Sequence, residues 1–290
     1  MLILDAPAGM RSWSDARRGR GASIGLVPTM GALHDGHLAL IDAAAARCDE
    51  VVASIFVNPL QFNRPDDFAT YPRPLDDDIE QCRQRGVTAI YAPTQDSMYP
   101  AGFETFVVPG SLSEPLEGAG RPGHFRGVTT VVAKLFHAVR PDVAVFGRKD
   151  FQQLALIERM VADLDMGIEI IGVETVREPD GLAMSSRNRR LSPTQRVAAV
   201  VVPAALDAAV AVIDAGGANA DTEAARRAAV DVVAAEPLAR LEYLEVVDPS
   251  TLREPTGPVP ALLAVTAVWF GDVRLIDNQL ISGLLHSADG

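Results

Sequence analysis

Residues 24–43 carry a pattern that few folds accommodate. A short apolar run, Ile24 to Val27, leads into Pro28-Thr29-Met30-Gly31-Ala32-Leu33-His34-Asp35-Gly36-His37, and Leu38-Ala39-Leu40-Ile41-Asp42-Ala43 follows. The run reads as a buried parallel strand and the last segment as a helix. The stretch 28–37 therefore lies where a strand hands over to a helix, at the carboxyl edge of an open α/β sheet, where ligands bind. Pro28 and Gly31 shape the turn, and Gly36, having no Cβ, lets a ligand approach the backbone closely. The first amides of the helix favour anions. His34 and His37, three apart on a first helical turn, can face one spot. An anion site with two imidazoles suggests phosphate chemistry; the alternative is a glycine turn with two surface histidines.

The rest of the chain repeats the alternation. Val51 to Val57 is a continuous β-branched run, as expected of a strand buried on both faces, and ends at Asn58-Pro59-Leu60-Gln61, which can reach the same crevice as His34. A helix from about Leu75 has Asp76, Asp77 and Asp78 in its first turn. Acids there suit the helix dipole; equally, one of them can help hold a hydrated Mg²⁺. Val87 to Ala92 reads as a strand, Thr105 to Val108 as a further short one, and 114–127 as a glycine-rich lid or binding loop containing His124 before a buried helix, 128–139. Val143 to Phe146 opens a second strand-to-helix edge, Gly147-Arg148-Lys149-Asp150, with Asp150 at an N-cap position. Helix 151–164 and strand 168–172 follow. This order predicts an α/β fold with a Rossmann-like, doubly wound parallel sheet over residues 1–175.

From residue 176 the character changes. The segment Leu182 to Arg190 is short-polar and basic. Ser192-Pro193-Thr194-Gln195 starts a helix of 193–215, a second helix spans about 219–235, and 241–247, 261–270 and 273–277 read as antiparallel strands. Residues 176–290 are thus expected to form a smaller C-terminal α+β domain that closes over the active site.

Composition narrows the function. Of 290 residues 48% are apolar, enough for a sizeable core, and the net charge of −12 argues against a general nucleic-acid binder. Cys48 and Cys82 fall in stretches that read as helical, without ligand spacing, and read as ordinary thiols of a reducing compartment. With no charged-then-apolar leader and no run of about 18 apolar residues, the chain reads as a soluble cytoplasmic protein without a membrane partner. His137 and His286 carry no signal. There is no Walker loop, no dinucleotide fingerprint and no nucleophile elbow.

His-x-Gly-His after the first strand, with a late Met-Ser-Ser-Arg loop, resembles the nucleotidyltransferase superfamily that bears the HxGH signature. PTMGALHDGH, FVNPLQF, RPGHFRGV, GRKDFQQ and GLAMSSRNRRLS, in this order, resemble the pantothenate synthetase (pantoate–β-alanine ligase) family across nearly all of residues 24–192. The resemblance implies an ATP-dependent ligase of pantothenate biosynthesis. It would join (R)-pantoate to β-alanine through a pantoyl adenylate, releasing pyrophosphate and AMP, with Mg²⁺ accompanying ATP. It also implies a homodimer and the site residues. Met30, Gly31, Ala32, Leu33, His34, Asp35, Gly36 and His37 would contact ATP, with both histidines on the phosphates and His37 the usual proton donor. Gly147, Arg148, Lys149 and Asp150 would contact ATP too, Lys149 as a phosphate cation. Val176 would touch the adenine, and Met184, Ser185, Ser186 and Arg187 would close over the triphosphate. Gln61 and Gln153 would hold pantoate, Gln61 also lying near β-alanine, and Asp77 would support Mg²⁺. The family usually has Glu where this chain has Arg148, which raises local positive charge.

Two other readings stay open at this point. A tRNA-charging synthetase would show pyrophosphate exchange with an amino acid in place of pantoate. A non-catalytic nucleotide-binding regulator would bind ATP and release no AMP.

Overall fold

The computed structural model describes residues 1–217 and 220–284; His286 lies outside them. The chain divides into two compact units, one of residues 1–148 and 152–174, the other of 149–151 and 175–290.

The first unit is built on six parallel strands: β1 (Leu2–Leu4), β2 (Ile24–Thr29), β3 (Glu50–Ile55), β4 (Ala89–Tyr91), β5 (Val143–Gly147) and β6 (Glu169–Val173). Their spatial order is β1-β4-β3-β2-β5-β6. The helices between them are α1 (Pro7–Arg18), α2 (Asp35–Ala45), α3 (Pro65–Thr70), α4 (Leu75–Gln84), α5 (Gln95–Met98), α6 (Glu117–Gly120), α7 (His124–Val139) and α8 (Phe151–Asp163). Successive strand residues go to opposite faces. Leu26, Val52 and Ala144 pack with residues of α1, α7 and α8, while Val27, Ala53 and Val145 pack with residues of α2 and α4. Burial on both faces explains why these strands read as unbroken apolar runs. The expected doubly wound sheet is therefore present. From β2 the chain steps outward to β3 and β4, then returns to β5 on the other side of β2. The β2/β5 pair is the switch point of such a sheet, and the two edge motifs, 28–37 and 147–150, follow those two strands.

Several local expectations change. Leu2–Leu4, a short apolar start without a strand signal of its own, is a strand, because it finds the register of β4, with Leu2 opposite Ala89 and Leu4 opposite Tyr91. Residues 105–108 are not a strand: the amide of Val107 bonds to Thr130 Oγ1 and its carbonyl to Thr129 Oγ1, both from α7, which leaves no ladder to join. Cys48 lies beyond the end of α2, against Gly25. Cys82 is in α4, where burial, helped by nearby Asp78, pushes its thiol up to about 11, far from reactive.

The second unit holds α9 (Pro193–Ala198), α10 (Val201–Gly216), α11 (Thr222–Ala234) and an antiparallel sheet of β7 (Ala239–Val247), β8 (Ala261–Phe270) and β9 (Val273–Ser282) in that order. The expected helix 193–215 is two helices with a turn at Ala199–Val200. Its start is the expected capping box. Ser192 Oγ accepts from the amide of Gln195, and Gln195 Oε1 accepts from the amide of Ser192, an arrangement worth about 1 kcal/mol. By length and composition Pro193–Gly216 is apolar enough to cross a membrane. In the structure, Val202, Leu206, Ala209 and Ile213 bury that apolar side in a core with Leu244, Val268 and Phe270 of the sheet.

Candidate active site

β2 runs two residues further than its apolar core, through Pro28 to Thr29. Pro28 is tolerated there because pairing with β5 ends at Leu26, so no ladder amide is required on that side. Gly31 (φ +78) and Ala32 (φ +51) then both take left-handed backbone, which turns consecutive amides to one side as an anion-holding nest. That nest is already filled from within. Asp78 Oδ2 accepts from the amide of Ala32 at 2.9 Å and Asp78 Oδ1 from that of Leu33 at 2.8 Å. Thr29 Oγ1 accepts from the amide of Gly31 at 3.1 Å and donates to the carbonyl of Ser54. A Cβ on Gly31 would stand 2.8 Å from Asp78 Oδ2, so the turn needs glycine there for space as well as for φ.

The same holds at the start of α2. His34 is its N-cap, and His34 Nδ1 accepts from the amide of Gly36 at 3.2 Å. The amides of His37 and Leu38 go to the carbonyl of His34. Of the first amides of α2, those of Gly36, His37 and Leu38 are therefore bonded within the turn, and the imidazoles of His34 and His37 stand beside them. Accepting at Nδ1 puts the neutral ring's proton on Nε2. The rings of His34 and His37 lie 4.1 Å apart, centroid to centroid, tilted by 38°. The three-residue spacing thus brings them together.

Gln61 closes a 3₁₀ turn, Pro59–Gln61, after β3. Its orientation follows from Asn58, which is buried. The amide of Leu60 donates to Asn58 Oδ1 and the carbonyl of Gly127 accepts from Asn58 Nδ2, which settles which end of Asn58 is which. Asn58 Nδ2 also donates to Gln61 Oε1 at 3.0 Å, leaving Gln61 Nε2 as the donor that reaches Met30 Sδ at 3.1 Å. Tyr99 completes the group, its hydroxyl donating to Asn58 Oδ1 at 2.8 Å. Burial raises the Tyr99 phenol well above its ordinary value, so it stays a donor. Asn58 is therefore a support for Gln61, not a group in the crevice. Gln61 and the signature turn do meet.

The lid expectation for 114–127 changes too. Glu117–Gly120 and His124–Gly127 are helical. His124 is buried, and its Nδ1 donates to the carbonyl of Gln61 at 2.7 Å, beside an Arg121 donor at 3.1 Å. Gly127 lets this helix start approach closely: a Cβ there would stand 2.3 Å from the carbonyl oxygen of Leu60. Of the paired glutamines, Gln152 is buried and holds the amide of Glu117 and the carbonyls of Leu112 and Pro115, whereas Gln153 is half-buried. Arg148 turns to the end of β6, where its Nε lies 3.0 Å from Glu174 Oε1 and 3.3 Å from the carbonyl of Gly172. Glu174 thus offsets the charge that Arg148 brings.

In the second unit, Val176 to Met184 forms a tight turn. Met184 donates to the carbonyl of Val176, and Arg177 bridges Ala183. Ser185 caps the 3₁₀ turn Ser186–Arg190 by accepting from the amide of Arg187 at 3.2 Å. Lys149 lies in the 3₁₀ turn Arg148–Asp150, and its carbonyl accepts from Asn278 Nδ2. That turn runs straight into α8, so Asp150 precedes the helix inside a 3₁₀ turn.

Among the acids of α4, Asp77 is exposed and Asp78 buried. Among the described residues, no three His, Cys, Asp or Glu side chains gather to hold a metal. Both oxygens of Asp78 are taken by backbone amides, whereas Asp76 and Asp77 are exposed, so only those two carboxylates of the first turn face solvent, and a hydrated ion would need phosphate oxygens and water beside them. Mg²⁺ accepts such a set.

Sequence reasoning missed the brace from Asp78, the Gln61 clamp of Arg121 and His124, and the contact of Asn278. The Asp78 signal was present as an acid in a helix first turn, where a dipole explanation hid it. Asn278 gave no local signal.

An open parallel sheet with a His-x-Gly-His turn at its switch point defines a nucleotide-handling α/β enzyme. The family profile for Pantoate-beta-alanine ligase matches residues 2–280, and the chain belongs to that family. It is 52% identical over 274 residues to pantothenate synthetase 1 of Bradyrhizobium diazoefficiens, covering 94% of this chain and 95% of that one. It is 50% identical over 281 residues to the pantothenate synthetase of Moorella thermoacetica, covering 97% and 99%. Its structure resembles that of the Thermus thermophilus pantothenate synthetase, with TM-score 0.90, 43% identity and coverage of 99% and 100%. It also resembles the Francisella tularensis pantoate-beta-alanine ligase complexed with beta-gamma ATP and beta-alanine, with TM-score 0.77, 34% identity and coverage of 97% of each chain.

Proposed function

We propose that this chain uses ATP to condense (R)-pantoate with β-alanine. A pantoate carboxylate oxygen attacks the α-phosphorus and pyrophosphate leaves, giving pantoyl adenylate. The amine of β-alanine then attacks the acyl carbon, AMP departs with the C–O electron pair, and the amine loses a proton. The observation that carries this reading is the family match over residues 2–280.

The roles follow from the chemistry. In-line attack on phosphorus needs orientation and charge stabilisation, and no covalent protein nucleophile. His34 and His37, presented side by side, suit the phosphates, with His37 as proton donor. Lys149 supplies a further phosphate cation. Residues 30–37 and 147–150 would contact ATP, Val176 the adenine, and Met184 to Arg187 the triphosphate. Gln61, its Nε2 already set as a donor, suits an acceptor oxygen of pantoate, and Gln153 would assist. Mg²⁺, when bound with ATP, would offset phosphate charge, with Asp77 as its protein ligand. A homodimer in the cytoplasm completes the reading.

The test is AMP release by the purified protein. It should require pantoate and β-alanine together, while pyrophosphate exchange into ATP should require pantoate alone. ATP binding without AMP release would leave a regulator, and exchange driven by an amino acid would leave a tRNA-charging enzyme.

A further inference from the structure

β9 carries two adjacent polar residues, Asp277 and Asn278, of which only 1% and 7% is exposed. Buried polar groups in a sheet need partners, and theirs are informative. Asp277 receives both arms of Arg177, Nη1 at 2.6 Å and Nη2 at 3.1 Å. Arg177 Nη1 also donates to the carbonyl of Gly181 at 3.0 Å. A forked guanidinium on a buried carboxylate is a directional anchor. It fixes the root of the turn that delivers Met184 to Arg187. Next to it, Asn278 Nδ2 donates to the carbonyl of Lys149 at 2.7 Å. The two anchors are coupled, since the amide of Asn278 itself donates to Asp277 Oδ1 at 2.8 Å.

Lysine is a point charge on a flexible stem, so what the fold can set is where the stem begins. The carbonyl of Lys149 is adjacent to its Cα, and Asn278 holds that carbonyl from 129 positions away in sequence. We infer that Asn278 is a positioning residue for adenylation: with Asp277 it makes β9 a single brace for Lys149 and for the Met184–Arg187 loop. This rests on the phosphate role proposed for Lys149. The side chain of Asn278 acts on the reaction only through the lysine it aligns.

The test is single-turnover formation of pantoyl adenylate by the full-length protein, with Asn278→Asp as the main variant and Asn278→Ala beside it. Asn278→Asp keeps the shape and removes the donor. A misplaced catalytic group typically costs about 10- to 100-fold. The expected result is a fall of that size in rate, a weaker MgATP affinity by calorimetry, and an unchanged KM for pantoate. In a Lys149→Ala background the same substitution should add less than about twofold, because there is no ammonium left to misplace. A wild-type rate in Asn278→Asp, or equal losses with and without Lys149, would overturn the inference. So would loss of fold in both variants, which would make Asn278 a purely structural residue. Failure of the unmodified protein to form pantothenate would overturn the proposed function, and this inference with it.

Discussion

The amide of Leu33 donates to Asp78 Oδ1 at 2.8 Å, so a helix 45 positions later sets the backbone of the His-x-Gly-His turn. The companion bond from Ala32 makes Asp78 a two-point brace. Each buried amide left unbonded costs about 1–3 kcal/mol. Asp78→Ala is therefore expected to lose about 2–4 kcal/mol in urea unfolding, and adenylation should fall with it. The exposed neighbour behaves differently. Asp77→Ala should change stability by less than about 0.5 kcal/mol, while raising the Mg²⁺ concentration needed for half-maximal rate.

His34 combines two duties that substitution can separate. It caps α2 through Nδ1 and presents Nε2 outward from that bond. Asparagine is among the best N-caps and alanine among the poor ones, a difference of about 1 kcal/mol. His34→Asn should thus keep the stability of the parent in a thermal melt, and His34→Ala should lose about that amount. Both should lose roughly 10²-fold in adenylation, the scale of one missing charge-stabilising donor. If His34→Asn retained full activity, His34 would be a cap and nothing more.

Lys149→Ala removes the ammonium proposed above to meet the phosphates, without touching the backbone carbonyl that Asn278 holds. Adenylation should fall by roughly 10²-fold or more, with folding unaffected by circular dichroism. Unchanged turnover would remove Lys149 from the site.

Glu245 on β7 offers a stability measurement independent of substrate. Burial raises its carboxyl above its ordinary value. Arg226 partly offsets this, and Glu223 and Glu254 add to it. The folded state therefore keeps this proton to higher pH than the unfolded chain does. Its contribution is fully present below the ordinary value and is lost as pH rises through the raised one. Glu245→Gln should melt higher than the parent at pH 7, and the gap should close as the pH falls to about 4.

Much was legible because it is local. A strand, a turn with Gly31 and two histidines three apart, a helix, and the same design again at 143–153 are read within a few residues of each other. The Ser192–Gln195 capping box is likewise complete inside four positions. The strand Leu2–Leu4 was not legible as a strand, since three residues become one only when β4 offers its register. The break at Ala199–Val200 was hidden by a composition that suits helix throughout.

The chain by itself determined the parallel α/β class, the sheet edge that carries the signature motifs, and, through five motifs in order, the family. Only the tertiary structure decided how those residues are held. It turned Asp78 from a dipole acid into the brace of the signature turn, made Asn58 the support that aims Gln61, and assigned Asn278 to the carbonyl of Lys149. The physical reason is one of range. Helix periodicity, capping and turn chemistry depend on neighbours in sequence, whereas a buried hydrogen bond belongs to whichever donor and acceptor the packed core brings within about 3 Å.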